Sequence, residues 1–318
     1  MNNKSIPDNK LQPFQLETRV AQGRLVRLGE TIHKILTAGN YPKEVAVLLG
    51  ELQVIGGLMS GVLKFDGVLS IQIKGDGAIT LLIVDVTSDG HMRGLAKFDL
   101  EKLKNLNGNL SSGPQQKVSR FLGNGFFSLT VDQGPDTEPY QGVVSLEGET
   151  LVECAQKYLN QSAQLDAALK VVVSEVEDKV GSTWRGGGVL LQKLPSAKVQ
   201  NLAGQKDDLD FEESWRRAVV FLSSCTNSEL LNPHLHPHNL LFRLFSEDGV
   251  RVFEPSNLYM KCRCSRERIQ NVLASFPRDE VDSMKVNGEV LVTCEFCNAD
   301  YRFCKNNIDD IFRELKSG

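Results

Sequence analysis

The chain has 318 residues, of which 41% are hydrophobic and 24% are charged. This composition is typical of folded globular proteins and excludes a mainly disordered chain, while the length favours about two domains. Lysine and arginine total 36 against 40 for aspartate and glutamate, so the formal charge of −4 provides no overall basic field and disfavours nucleic acid as a partner.

Apolar periodicity in the first part of the chain predicts a strand followed by two helices. Alternating apolar side chains over residues 14–20 favour an extended segment, and residues 24–64 are expected to be mainly helical with a turn at 39–42. In the second helix, seven apolar side chains follow the 3.6-residue period of a helix. They are Val45, Leu48, Leu49, Leu52, Ile55, Met59 and Val62.

Residues 45–63 are close to the length of a membrane span and are mostly apolar. However, Glu51 and Gln53 lie in the middle of this segment, glycines that include Gly56, Gly57 and Gly61 interrupt it, and its flanks are charged rather than aromatic. We therefore predict a helix buried inside the protein and no association with a membrane. Because residues 1–12 are polar and lack the apolar run of a secretory signal, we expect the protein in the cytoplasm.

From residue 67 the apolar period changes to two, which is typical of strands with one buried face. Seven strands are predicted, with a helix over 150–160 between the fifth and the sixth. Their ranges are 68–74, 79–86, 91–98, 126–132, 140–146, 168–176 and 184–194. Runs of strands with helices set apart predict an α+β fold with antiparallel or mixed sheets.

The remaining third of the chain is predicted to hold two smaller regions. A polar segment, residues 195–210, precedes an amphipathic helix over 211–222 and a short helix over 240–245. The final 60 or so residues are expected to contain a helix at 265–275, a hairpin of 289–294 with 301–304, and a last helix at 308–315. We thus predict a core domain over 1–196, a helical linker region over 197–255 and a small carboxy-terminal domain over 256–318.

Seven cysteines occur, and five of them lie within 43 residues near the carboxy terminus. The odd total argues against a disulfide-based secreted scaffold. Cys154 follows the apolar phase of a predicted helix and Cys225 lies near a helix end, so both are expected to be core side chains. The clustered residues are Cys262, Cys264, Cys294, Cys297 and Cys304.

Two close pairs, Cys262-x-Cys264 and Cys294-x-x-Cys297, are separated by 29 residues. Four thiolates presented on two such segments match the tetrahedral site that Zn²⁺ prefers. One zinc ion held by four cysteines has no open position for substrate, so a structural or sensing role is favoured over catalysis and we predict that the protein is not an enzyme. Each pair is also close enough in sequence to form a disulfide, and Cys304 is expected to be a structural side chain, with a ligand or resolving role as the alternatives.

Further segments of the chain accompany this cysteine pattern. They are residues 23–28, 41–42, 48–51, 63–67, 72, 75–77, 186–188, 191–195, 262–268, 294–298 and 301–303. Together they resemble the redox-regulated heat-shock chaperones of about thirty-three kilodaltons, the zinc-thiolate holdase family, along nearly the full length of the chain.

The resemblance implies an ATP-independent holdase that is inactive while its four cysteines bind zinc. Oxidation in that family forms the disulfides that would be Cys262–Cys264 and Cys294–Cys297 here, expels zinc, and unfolds the tail and the linker. Exposed apolar surface then binds unfolding client proteins, and the active form is a homodimer. Cys304 departs from the usual pattern of the family, which leaves the disulfide connectivity open.

Two other functions remain as alternatives. A zinc ribbon that binds nucleic acid is disfavoured because residues 256–318 hold ten basic and ten acidic side chains and therefore carry no net charge. A thiol-disulfide oxidoreductase that uses Cys294-x-x-Cys297 is disfavoured because the motif follows a predicted strand rather than opening a helix.

Overall fold

The structure is a computed structural model that describes residues 8–107, 118–134, 136–178, 181–195 and 208–314. The chain divides into two compact units, with the boundary between Met260 and Lys261. Helices and strands occur in both, and the predicted α+β class is confirmed.

The first unit contains twelve strands and eight helices among its described residues. The strands are β1 (Lys10–Leu16), β2 (Ala21–Leu28), β3 (Val68–Gly75), β4 (Ile79–Thr87), β5 (His91–Phe98), β6 (Gly125–Asp132), β7 (Tyr140–Ser145), β8 (Ala167–Asp178), β9 (Gly181–Lys193), β10 (Val250–Val252), β11 (Ser256–Asn257) and β12 (Tyr259–Met260). The helices are α1 (Glu30–Ala38), α2 (Lys43–Ser60), α3 (Leu100–Asn107), α4 (Val118–Leu122), α5 (Leu151–Gln161), α6 (Asp208–Ser223), α7 (Asn227–Leu231) and α8 (Pro237–Phe245).

Two six-stranded sheets organise this unit. The first sheet has the order β10-β1-β2-β9-β8, with β11 also paired to β1, and its neighbouring strands are antiparallel. The second has the order β12-β5-β4-β3-β6-β7 and is antiparallel except for the parallel pair β12 and β5. The prediction of antiparallel or mixed sheets is therefore confirmed.

Helix α2 is buried between the two sheets. Gly56 faces Val84 of the second sheet and the adjacent Gly57 faces Val26 of the first, so the lack of a side chain lets both sheets approach the helix. Apolar residues cover α2 on several sides, as expected for a helix packed on two faces, and the predicted buried helix is confirmed. None of the helices in the described parts of the chain has the length and apolar content needed to cross a membrane.

Helices α6, α7 and α8 pack on the opposite face of the first sheet. Their apolar side chains form a second core with Leu25, Val189 and Leu191 of that sheet, and Phe245 of α8 stacks on Phe14 of β1 with ring centroids 5.6 Å apart. The amphipathic helix predicted over 211–222 and the short helix predicted over 240–245 thus both exist, each beginning slightly earlier.

The prediction of helix for residues 24–28 is wrong, because these residues belong to strand β2. This strand is paired on both sides and buries Leu25, Val26 and Leu28, so its apolar residues do not alternate and they imitate a helical period. The first strand is also earlier than predicted, since β1 ends at Leu16 and a turn follows. The short elements α3, α4, α7 and β10 to β12 had no sequence signal strong enough to predict them. The proposed domain boundary at residue 196 lies outside the described residues, and the three-part division remains a prediction.

The second unit is built from α9 (Arg266–Ala274), α10 (Arg278–Ser283), β13 (Glu289–Thr293), β14 (Asp300–Cys304) and α11 (Lys305–Glu314). Strands β13 and β14 form the predicted antiparallel hairpin. The core of this unit is small and consists of Leu273, Val281, Val290, Phe303, Ile308 and Ile311. The predicted end of the last helix, at residue 315, lies outside the described residues.

Candidate metal centre

Cys262 and Cys264 lie in the extended segment that leads into α9. The helix begins directly after this segment because Ser265 caps it, with its Oγ accepting a hydrogen bond of 3.2 Å from the backbone N–H of Arg268. Residues two apart on an extended chain project to the same side, so both sulfur atoms point in one direction.

Cys294 and Cys297 lie in the tight turn that joins β13 to β14. The backbone N–H of Asn298 donates to the carbonyl of Cys294 at 2.8 Å, and the N–H of Cys294 donates to the carbonyl of Ala299 at 2.9 Å. Asn298 adopts a left-handed conformation with φ of 56°, which asparagine tolerates better than most residues. This turn holds the second pair of sulfur atoms against the first.

The four sulfur atoms lie within 4.8 Å of one another. Cys262 Sγ is 3.6 Å from Cys294 Sγ, and Cys264 Sγ is 3.4 Å from Cys297 Sγ. A tetrahedral zinc site with Zn–S bonds of about 2.3 Å has S···S edges of about 3.8 Å, so this arrangement is close to that of a bound ion. The four cysteines can therefore hold a metal ion, and an all-sulfur donor set suits zinc.

The protonation of these thiols also suits a cation. Burial would raise the pKa of Cys262, but hydrogen bonds from the backbone N–H of Cys264 and from neighbouring thiols outweigh burial and lower the pKa to about 7. Burial raises the pKa of both Cys294 and Cys297. Sulfur atoms this close cannot all be anionic without a positive charge among them, and a divalent cation supplies that charge.

Tyr301 is a site residue whose role the sequence did not reveal. Its hydroxyl donates a hydrogen bond of 3.1 Å to Cys264 Sγ, and this bond raises the pKa of Tyr301 to about 12. The alternation of β14 places Phe303 on the same side of the strand, where the Arg266 guanidinium lies 4.3 Å from its ring centroid. The alternation of side chains along the strand after Cys297 could have indicated that Tyr301 and Phe303 lie on the same side. It could not have identified the sulfur atom that Tyr301 contacts.

The other three cysteines lie apart from this cluster. Cys154 and Cys225 are buried in the two apolar cores of the first unit, as predicted, and burial raises the pKa of Cys154 to about 11. Cys304 ends β14 and is exposed, with its Sγ 3.1 Å from Asn307 Oδ1. It does not belong to the group of four sulfur atoms.

Comparison with known proteins gives consistent matches over almost the whole chain. Residues 9–304 match the family model described as Hsp33 protein. A 33 kDa chaperonin of Caulobacter vibrioides is 37% identical over 297 residues, covering 93% of this chain and 94% of that protein. The 33 kDa chaperonin of Pseudomonas fluorescens is 32% identical over 310 residues, with coverage of 96% and 95%.

A solved structure shares the fold. The crystal structure of the 33 kDa chaperonin, a heat shock protein 33 homolog, from Thermotoga maritima superposes with a TM-score of 0.78 at 20% sequence identity. The superposition covers 98% of this chain and 100% of that chain.

Proposed function

The chain belongs to the Hsp33 family of chaperones, and from this premise we propose that it is an ATP-independent holdase controlled by the oxidation of four cysteines. The observation that carries the proposal is the gathering of four sulfur atoms within 4.8 Å in a unit that has only a small apolar core. In this proposal the reduced protein binds one zinc ion through Cys262, Cys264, Cys294 and Cys297, and it is inactive.

Zinc supplies most of the stability of the second unit in this proposal. The described residues of that unit bury six apolar side chains, which is little for an independently folded module. Structural zinc contributes about 10–16 kcal/mol in small modules at neutral pH, so losing the ion removes more free energy than the apolar core is able to replace. Oxidation that expels zinc is therefore expected to unfold the tail.

The oxidation step needs a two-electron oxidant such as hydrogen peroxide. Each close pair of zinc-bound thiolates gives up two electrons and forms one S–S bond, while one peroxide takes those two electrons and two protons from solvent and is reduced to two waters. We propose Cys262–Cys264 and Cys294–Cys297 as the two disulfides, so two peroxides are consumed and one Zn²⁺ is released. A sulfur in a disulfide is no longer a thiolate ligand, which explains the loss of the metal.

Apolar surface for client proteins is available in the region before the tail. The faces of α6, α7 and α8 that pack on the first sheet carry several apolar side chains, among them Phe211, Leu222, Leu240 and Phe245. When this region loses its support, those faces become exposed and bind unfolding or oxidatively damaged proteins with little dependence on sequence. We further propose that the oxidised protein is a homodimer, and that it acts in the cytoplasm.

The test combines zinc release, thiol counting and client aggregation under mild heat. Peroxide should release one zinc, remove four thiols and start the suppression of aggregation, measured by light scattering. A Cys304→Ser variant is the matched control and should behave in the same way, because Cys304 lies outside the sulfur cluster. Equal activity of the reduced, zinc-loaded protein and the oxidised protein would contradict the proposal, and a loss of five thiols would show that Cys304 takes part.

The disulfide pairing has its own readout. Trypsin cleaves after Lys261, Arg263 and Arg266, which separates Cys262 and Cys264 into two short peptides, whereas Cys294 and Cys297 stay together in one. The proposed pairing predicts that the two short peptides are linked only to each other. A link from either of them to the peptide with Cys294 and Cys297 would show the other pairing.

The alternative functions are separated by two further assays. Salt-dependent binding of RNA or DNA by the zinc-loaded protein would favour a zinc ribbon that recognises nucleic acid. Reduction of insulin disulfides would favour a thiol-disulfide oxidoreductase. We expect neither activity.

A further inference from the structure

Two arginines of the first sheet bind the main chain of helix α7 and of the loop that follows it. Arg27 of β2 is 2% exposed and donates from Nη2 to the carbonyl of Glu229 at 2.7 Å, and from Nη1 to the carbonyl of Leu235. Arg185 of β9 donates from Nε to the carbonyl of Leu231 at 2.9 Å. The sheet thus holds this segment by three backbone carbonyls.

A glycine brings the segment close enough for these bonds. Gly187 is paired with Arg27 in the ladder between β9 and β2, and a side chain at this position would meet the carbonyl oxygen of Leu230 at 2.8 Å. Arg185 lies two residues before Gly187 and therefore projects to the same face. We call Arg27, Arg185 and Gly187 the carbonyl seat.

The carbonyl seat recognises features that every polypeptide has. The guanidinium groups act only as donors, and the groups of the α7 segment that they bind are main-chain carbonyls rather than particular side chains. Leu25, Val189 and Leu191 lie on the same face of the sheet and form an apolar stretch next to the seat. This combination fits an extended, apolar polypeptide whose backbone carbonyls are not yet paired.

The hydrogen bonds of the seat depend on what covers it, whereas its charge does not. Asp8 pairs with Arg185 at 2.8 Å, and its carboxylate also acts electrostatically on Arg27. While the seat is covered, the carbonyls of the α7 segment replace the water that the buried guanidinium of Arg27 has lost. When the segment leaves, both arginines face water with unused donors, and a client backbone restores the same bonds.

We propose that the α7 segment, residues 227–235, acts as an internal pseudo-client that blocks the carbonyl seat, and that the seat binds the backbone of unfolding client proteins after this segment leaves. This inference rests on the proposed holdase function, and it identifies both the binding surface and the chemistry of the partner. The seat supplies polar contacts to a surface that would otherwise bind clients by apolar burial alone.

The test compares the full-length protein with Arg27→Gln and Arg185→Gln variants. The probe is reduced, carboxymethylated α-lactalbumin with a fluorescent label, whose blocked cysteines keep it unfolded. Because each variant removes charged hydrogen bonds to client carbonyls, we expect each oxidised variant to bind the probe about three- to tenfold more weakly than the oxidised wild type. Fluorescence anisotropy gives the affinities.

Arg24→Gln is the matched control. Arg24 lies in the same strand but three residues away, so it projects to the other face, where its Nε donates to the carbonyl of Gly61 at 2.8 Å. Its oxidised form should bind the probe within about twofold of the wild type. An Arg27→Lys variant keeps the charge but not the planar fork, and we expect an affinity between those of the wild type and Arg27→Gln, which a general loss of fold would not produce.

A second measurement tests the blocked state. In the reduced protein, amide hydrogen exchange of residues 227–235 should be at least about threefold faster in Arg27→Gln and Arg185→Gln than in Arg24→Gln, because this segment has lost hydrogen-bond donors that hold it to the sheet. If the oxidised wild type binds the probe and both seat variants bind it as tightly as the wild type does, then the carbonyl seat does not bind clients, while the holdase function stands. If the oxidised wild type does not bind the probe, the proposed function is wrong and the seat with it.

Discussion

Among the described residues, the first unit buries 41 apolar side chains around α2 and another 18 beneath α6, α7 and α8, whereas the second unit buries six. The second unit is about a fifth as long as the first, so its core is small even for its length. In the proposed function, a zinc ion bound by the four clustered sulfur atoms supplies the stability that a larger apolar core would otherwise give. A unit that depends on one ion is simple to switch, because a single chemical change removes most of its stability.

The strongest test of this contrast is removal of the metal. A zinc chelator under reducing conditions should unfold residues 261–314 completely and leave the two sheets of the first unit folded. Amide hydrogen exchange measured by mass spectrometry separates the regions, and Trp184 of β9 provides a fluorescence signal from the first sheet. If the second unit kept its protection from amide exchange after chelation, its stability would not depend on zinc and the contrast between the two units would be wrong.

A smaller effect is expected inside the first unit, at Glu51 of α2. Burial raises the pKa of this carboxyl to about 7, well above the usual value for glutamate. Below pH 4.5 the carboxyl is protonated in both the folded and the unfolded state, so the protein has its full free energy of unfolding. As the pH rises through 7 this free energy falls, because the unfolded state ionises at a lower pH than the folded state.

A Glu51→Gln variant removes this loss. It should be more stable than the wild type at pH 8 by on the order of 2 kcal/mol and should lose its advantage by pH 4.5, as measured by denaturant unfolding followed by tryptophan fluorescence. Both tryptophans, Trp184 and Trp215, belong to the first unit, so the signal excludes the tail. A Glu44→Gln variant in the first turn of the same helix controls for the change of net charge. Equal stability of Glu51→Gln and the wild type at pH 8 would show that the pKa of the Glu51 carboxyl is not raised in the folded protein.

The smallest effect is expected at Tyr301. A Tyr301→Phe variant keeps the aromatic ring but loses the hydrogen bond from the hydroxyl to Cys264 Sγ. Zinc affinity should therefore fall about three- to tenfold, which is at or below the lower end of the effects known for groups that orient metal ligands. Competition with a chromophoric chelator measures the change. Tyr259→Phe, an exposed tyrosine of the first unit, is the control, and identical competition curves for both variants would show that the Tyr301 hydroxyl does not support the site.

The sequence predicted those features that depend on local spacing. Period-two alternation located the strands of the second sheet, the helical period located α2, and the two cysteine pairs indicated the sulfur cluster. Strand β2 was mistaken for helix because a strand buried on both faces loses its alternation.

Features that depend on contacts distant in sequence could not be predicted. Arg27 meets the carbonyl of Leu235, 208 positions further along the chain, and Tyr301 meets Cys264, 37 positions earlier in the chain. Neither partner leaves a pattern around the arginine or the tyrosine, since a single hydrogen bond requires no repeat. In the same way, the half-buried Glu51 is polar in sequence, and only the packing around α2 reveals the raised pKa of its carboxyl.

Strands β9 and β10 both belong to the first sheet, and the segment with α6, α7 and α8 connects them. Detached helices therefore remain a closed loop with both ends fixed, and their return to the sheet is a unimolecular event. The entropy of such a loop depends only weakly on its length, so the effective concentration of the segment stays high and does not change with dilution. Under the proposed holdase function, a client must compete with this constant internal concentration, which favours release of the client when the tail folds again.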